Sequence, residues 1–244
     1  MNRLAVLGLA VALTATAPAT GRAHEVEPMI VNVAPSGAAA SFRLMIRNTD
    51  AVPITLEILP RRVAVDDAGD VTRTPADDDV LIYPDQVVVA PGDQQAVQVR
   101  YVGEPDLTEA RVYGLIVDQL PIDFTTLQNG DASTTQVKIG FNFVSHMVVT
   151  PPGALADLRL SAVGRTPEGD LTFDMTNDGK GVALLRNAVW TLSDDRGESV
   201  VVPAERVRFG AFGAILPGGR RSVVIAAADA PGLSQSVSAR LSSQ

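Results

Sequence analysis

The sequence predicts an all-β protein of two sandwich domains. Three observations carry that reading. Apolar residues alternate with polar ones in short runs, so alternate side chains share a face. Turn signals return roughly every 10 residues, the spacing of sandwich strands. No stretch offers three turns of capped helical periodicity; the most helix-like, residues 104–111, amounts to one short turn at best.

The 244 residues suffice for one large domain or two ordinary ones, and 46% hydrophobic residues supply real cores. Cysteine is absent, which excludes disulfides and thiolate metal sites and leaves packing to provide stability. The formal charge of −8 comes without a basic tract, which argues against nucleic-acid binding.

The elements follow in order. Arg3, the apolar run 4–15 and the small residues Gly21 and Ala23 form a secretory signal peptide, residues 1–23. The run is too short to span a bilayer, and no later stretch is long and apolar enough to do so. His24 becomes the mature start, where mobility is expected. Residues 40–48 put Phe42, Leu44 and Ile46 on one face, and residues 52–59 do so with Ile54, Leu56 and Ile58. The acidic segment Asp66-Asp67-Ala68-Gly69-Asp70 lacks the ligand register and terminal Glu of a calcium loop and reads as a solvated hairpin turn. Asp77-Asp78-Asp79 reads as a polar loop before a strand at 80–83. Runs 86–90 and 95–102 flank Pro91-Gly92-Asp93, a turn between paired strands. Residues 112–120 form another strand, stopped by Pro121.

Residues 135–152 form the most regular apolar comb of the chain. Val137, Ile139, Phe141 and Phe143 fall on one face, with Lys138, Gly140 and Asn142 between them. Such a comb either closes a core or is offered to a partner. Pro151-Pro152-Gly153 then marks a joint, because proline fixes its own φ and cannot donate to a ladder. Beyond it, short strands at 158–163, 170–176, 188–192, 200–202, 222–227 and 236–241 alternate with turns at 167–169, 177–179, 194–197 and 217–219. This gives two Ig-like units, 24–150 and 151–244, without an obvious repeat between them. Trp190 and Tyr101 are expected in cores.

Catalytic chemistry finds little support. His24 and His146 are the only histidines, no nucleophile elbow is present, and no two histidines stand at metal-ligand spacing. The residues suggest no enzyme, no metal and no cofactor.

The segment Tyr-Pro-Asp-Gln-Val-Val-Val-Ala-Pro-Gly-Asp-Gln-Gln-Ala-Val-Gln-Val-Arg-Tyr, residues 83–101, resembles the periplasmic pilus-assembly chaperones of chaperone–usher systems. The strand 111–121, the comb at 136–152 and the following joint continue the resemblance. It implies two Ig-like β-sandwich domains arranged as an L or boomerang with a cleft between them. It implies a periplasmic protein that binds pilus or fimbrial subunits and delivers them to an outer-membrane usher, filling the subunit's open groove by donor-strand complementation. The four comb residues Val137, Ile139, Phe141 and Phe143 would be the donors. The family's basic anchor for the subunit's terminal carboxylate falls here on Asn32 and His146, so this is a divergent or archaic-like member; Lys138, Arg100 and Arg111 are candidate replacements. The free comb implies self-association as a hazard. The alternative is a structural or adhesive component of the surface fibre itself. A fibre subunit usually has one domain and a free apolar N-terminal extension, whereas here Val26, Ile30 and Val33 fall out of register.

Overall fold

The computed structural model describes residues 24–121, 141–186, 188–234 and 236–243. Two of the four comb residues, Val137 and Ile139, and the expected signal peptide lie outside the described residues. The described chain is nearly all β. Its only helical pieces are three 3₁₀ turns, at Ala38–Ala40, Ala204–Arg206 and Ala227–Asp229. Residues 104–110 are irregular, so the short turn expected there does not form. Among the described residues no helix is long and apolar enough to cross a membrane.

The first domain holds β1 (Glu25–Glu27), β2 (Ile30–Val33), β3 (Ser41–Arg47), β4 (Ile54–Val65), β5 (Val71–Pro75), β6 (Val80–Tyr83), β7 (Gln86–Val89), β8 (Gln94–Tyr101), β9 (Arg111–Leu120) and β10 (Asn142–Val149). One sheet runs β1-β3-β8-β6. The other runs β2-β10-β9-β4-β5, with β7 added to β4. The alternating residues expected on β3, β4 and β8 meet between the sheets. Leu44, Ile46, Ile58, Val97, Val99, Leu115 and Met147 are each at most 1% exposed there.

Two local features differ from the sequence reading. Pro91-Gly92-Asp93 does turn the chain, but its flanking strands lie in different sheets: β7 pairs with β4, and β8 with β3 and β6. The stretch 24–33 also changes sheets. β1 pairs with β3, Pro28 interrupts, and β2 then pairs in parallel with β10. Val26 and Val33 are both buried in the same core, reached from opposite sheets. That crossover explains the broken apolar register. His24 is buried, at 5% exposure, with Nε2 3.3 Å from Asp50 Oδ2.

The second domain holds β11 (Leu158–Leu160), β12 (Gly164–Arg165), β13 (Leu171–Asn177), β14 (Ala183–Leu184), β15 (Ala188–Asp194), β16 (Ser199–Pro203), β17 (Val207–Arg208), β18 (Ala214–Ile215), β19 (Arg220–Ile225) and β20 (Val237–Ser243). The sheet β11-β13-β19-β17, with β12 on β13, faces β16-β15-β20. A β14-β18 ribbon lies beside them. Trp190, Leu192, Met175 and Val223 fill the space between, all at 0% exposure. Tyr101 of the first core is 2% exposed, so both aromatic residues expected inside are there.

A third apolar cluster joins the two domains. Val63, Ala110, Val112 and Val148 from the first are buried against Val182, Phe212 and Leu216 from the second. The Ala110 amide also donates to the Lys180 carbonyl at 2.8 Å. One outer face of the first sandwich is thereby turned into the wall of a cleft.

Candidate functional site

β10 decides what the cleft can do, because its two faces do different jobs. Phe143, Ser145, Met147 and Val149 point to the first core; the last three are fully buried, and Phe143 is partly covered. Val144, His146 and Val148 point the other way, into a cavity of about 400 Å³ between the domains. Met29, Ile30 and Val112 of the first domain and Val182, Leu184, Arg186, Phe212, Gly213 and Ala214 of the second complete its lining. The comb parity therefore continues the core face of the strand, while His146 stands on the cleft face.

Pairing along β10 is uneven. On one side β9 covers the whole strand, from Asn142 opposite Asp118 to Val149 opposite Arg111. On the other, β2 covers only His146 to Val149. Ser145 marks the limit: its Oγ donates to the Pro28 carbonyl at 2.6 Å, and the His146 amide donates to Met29 O at 2.8 Å. Toward Asn142 the apolar side chains also run past their own core. Phe141 is 39% exposed and touches only the edge of the domain, its ring 5.4 Å from His24 at an interplanar angle of 85°.

His146 lies opposite Gly114 on β9. A Cβ on Gly114 would stand 3.2 Å from Val144 Cγ1 and 3.7 Å from Arg73 Nε, so the glycine leaves a notch that the Arg73 side chain crosses. Gly213 does the same on the facing wall. A Cβ there would fall 2.5 Å from Arg186 Nε, so the Arg186 side chain lies directly over the backbone. The Phe212 ring packs on the imidazole, centroids 5.4 Å apart at 64°. Nε2 of His146 is buried without a hydrogen-bond partner. Burial holds the His146 pKa below its ordinary value, and Arg73 and then Arg186 lower it further. The site thus presents a neutral imidazole in an apolar pocket, with the exposed side chains of Arg73 and Arg186 beside it, a setting suited to a carboxylate. Among the described residues, no acidic side chain forms an ion pair with either arginine.

Asn32 shares this wall. It pairs with Val148, two positions along from His146, and lines an adjoining cavity of about 310 Å³ with Ile30, Leu155 and Leu184. The two residues singled out in sequence therefore sit on one face. The candidate replacements do not join them. Arg100 is exposed on the outer face of the other sheet, opposite Leu81. Arg111 is held by Glu104 at 2.8 Å. Lys138 lies outside the described residues. Arg73 and Arg186 are the basic residues sequence reading missed; they come from a hairpin and from the other domain, and no linear spacing ties them to His146.

No protein-family model matches the chain, and no curated protein matches it. Solved structures do. The class 5 fimbriae chaperone CfaA aligns with a TM-score of 0.57 over 91% of this chain and 93% of its own, at 12% identity. A chain of the CsuC–CsuE chaperone–tip adhesion subunit pre-assembly complex, from the archaic chaperone–usher Csu pili of Acinetobacter baumannii, aligns with a TM-score of 0.52. That match covers 81% and 88% of the two chains at 14% identity. A chain of the Salmonella enterica SafA pilin–SafB chaperone complex gives 0.53 over 85% and 86%, at 11% identity. The chain has the two-domain β fold of the fimbrial chaperones of chaperone–usher systems.

Proposed function

We propose that this protein is a periplasmic chaperone that binds fibre subunits through the strand 137–149 and passes them to an outer-membrane usher. The observation that carries the reading is the mismatch on β10. Its apolar face runs beyond its own core, and from Asn142 to Ser145 it is paired on one side only. An incomplete partner sandwich is what such a strand would complete, the mode in which a strand is lent to another fold. Val137, Ile139, Phe141 and Phe143 are the donor side chains. Each would contribute up to roughly 1.5–3 kcal/mol on leaving water, with less from Phe143, which its own core already covers in part. A slip by one residue would offer Lys138, Gly140 and Asn142 instead, so the alternation also sets register.

The partner's terminal carboxylate is received in the cleft by His146 and Asn32, with Arg73 and Arg186 supplying the permanent charge those two lack. The domain boundary is placed at 150/151. It is supported by the last ladder bond, Thr150 N–H to Val33 O at 2.9 Å, and by the Pro151–Ala154 turn that follows. A signal peptide over 1–23 would deliver the chain to the periplasm.

The test is capture. Co-expressed in a periplasm with candidate subunits, the parent chain should yield a one-to-one complex. Ile139→Asp with Phe141→Asp should abolish it, whereas Val201→Asp, at a side chain 62% exposed on the second domain, should not. A complex that survives the donor substitutions overturns the reading.

A further inference from the structure

Arg221 is the one arginine of the described residues that is essentially shut away from water, at 1% exposure. A buried guanidinium costs several kcal/mol unless its donors are met. Nη1 donates to the carbonyls of Phe209 at 2.7 Å and Phe212 at 2.9 Å; Nη2 donates to that of Ala214 at 3.2 Å. All three acceptors belong to one segment, 209–214, which therefore wraps around the charge. This segment carries Phe212, whose ring packs on His146, and Gly213, over which Arg186 lies.

The far side of the guanidinium is closed by the other domain. The turn between β4 and β5 reaches it with Gly69, where an added Cβ would lie 2.5 Å from Arg221 Nη1 and 3.0 Å from Gly210 Cα. At Gly210 an added Cβ would lie 2.4 Å from Ala68 O. Ser222 N–H donates to Asp67 O at 3.4 Å. The carboxylates of Asp66 and Asp67 favour the charged guanidinium, against the burial that opposes it. So the acidic turn is solvated on one side only. Its Asp66 side chain caps the turn by accepting from the Ala68 and Asp70 amides, while Gly69 is buried against the neighbour.

We infer that Arg221 is a positioning residue of the cleft: it ties the Asp66–Asp70 turn of the first domain to the 209–214 segment of the second and so fixes where Phe212 stands against His146. The role belongs to the free protein and does not depend on which partner fills the cleft. A point charge would not serve, because the acceptors are spread over three carbonyls that need the planar fork of an arginine.

The experiment uses the full chain, with NMR contacts between the Phe212 and His146 rings and the titration of His146 as readouts. The near-ultraviolet signal of Trp190 reports native packing of the second domain. Arg221→Lys keeps the charge and loses the fork. The Phe212–His146 contact should disappear and the His146 midpoint should rise toward its ordinary value, with the Trp190 signal kept. Asp66→Asn with Asp67→Asn keeps the turn's hydrogen-bond acceptors and removes both charges; it should weaken the ring contact and move the midpoint the same way by a smaller amount. If Arg221→Lys loses the Trp190 signal, the double asparagine variant decides. An unchanged ring contact and His146 midpoint in a natively packed variant overturn the inference.

Discussion

Asn48 follows β3 and Asn177 ends β13, and the two side chains make the same knot. Both are 0% exposed. Asn48 Nδ2 donates to the carbonyls of Val52 and Val89; Asn177 Nδ2 donates to those of Gly181 and Ile215. Each pair is the residue four further on and the residue two before a Pro-Gly turn. The backbones agree as well. Asn48 exchanges hydrogen bonds with Gly92 and Asp93, and Asn177 with Gly218 and Gly219. Two sequences without a visible repeat thus close their sandwiches with one device.

What differs is the fate of the last strand. β20 spends its comb at home, with Val237 buried and Ala239 and Leu241 packed on the second core. β10 begins outside its core and enters it only from Phe143 onward. An alternating apolar strand is therefore no evidence of a donor by itself. The informative feature is how far the alternation outruns the core it belongs to.

The largest test of that comparison is to remove the knots. Asn177→Ala strands two buried carbonyls and Asn48→Ala one buried and one part-buried carbonyl, each with at least one amide, and each should cost about 3 kcal/mol in urea unfolding. Costs differing by more than about 1 kcal/mol would break the equivalence. Truncating the combs should separate the domains. Leu241→Ala should cost about 2 kcal/mol of stability. Phe141→Ala should cost about 1 kcal/mol or less because the ring is part-exposed, yet weaken subunit capture at least tenfold.

A pH series sharpens the contrast further, because residues 151–244 contain no histidine. His146 titrates lower in the folded chain than in the unfolded one. As pH falls through about 6.5 the unfolded chain takes up the proton first, and stability should decline, by at most about 1.4 kcal/mol per pH unit. Above that range His146 contributes no slope. His146→Gln should remove this part of the slope. A carboxylate bound in the cleft favours the protonated imidazole, so its affinity should rise over the same fall in pH. The smallest effect belongs to a surface pair. Glu104→Gln, at a side chain 57% exposed, should cost less than about 1 kcal/mol.

Period-2 alternation made β3, β6, β8, β13 and β15 legible, because each has one face in a core and the other turned outward; β9 was legible as an apolar run, and it is buried on both faces from Val112 to Leu115. β1 and β2 were not, since the crossover at Pro28 resets which parity is buried. β4 runs six residues beyond the expected strand, past Leu59 to Val65, because its later part exchanges the first core for the interdomain cluster at Val63. His146 and Asn32 were found through position in a resemblance, and they do share a face. Arg73 and Arg186 were invisible because only folding brings a hairpin strand and a second-domain loop to one imidazole. The two asparagine knots were hidden for a related reason: one polar letter before a turn looks like any solvated asparagine until its amide is seen to be buried.

The parallel pairing of β2 with the end of β10 has one more consequence. A guest strand laid along the open edge of β10 can advance only as far as Ser145, because Pro28 and Met29 already occupy the next positions. That edge therefore has a built-in end stop. Whatever strand docks there is measured from its terminus, and the terminus is halted beside Ile30 and His146, at the mouth of the cleft.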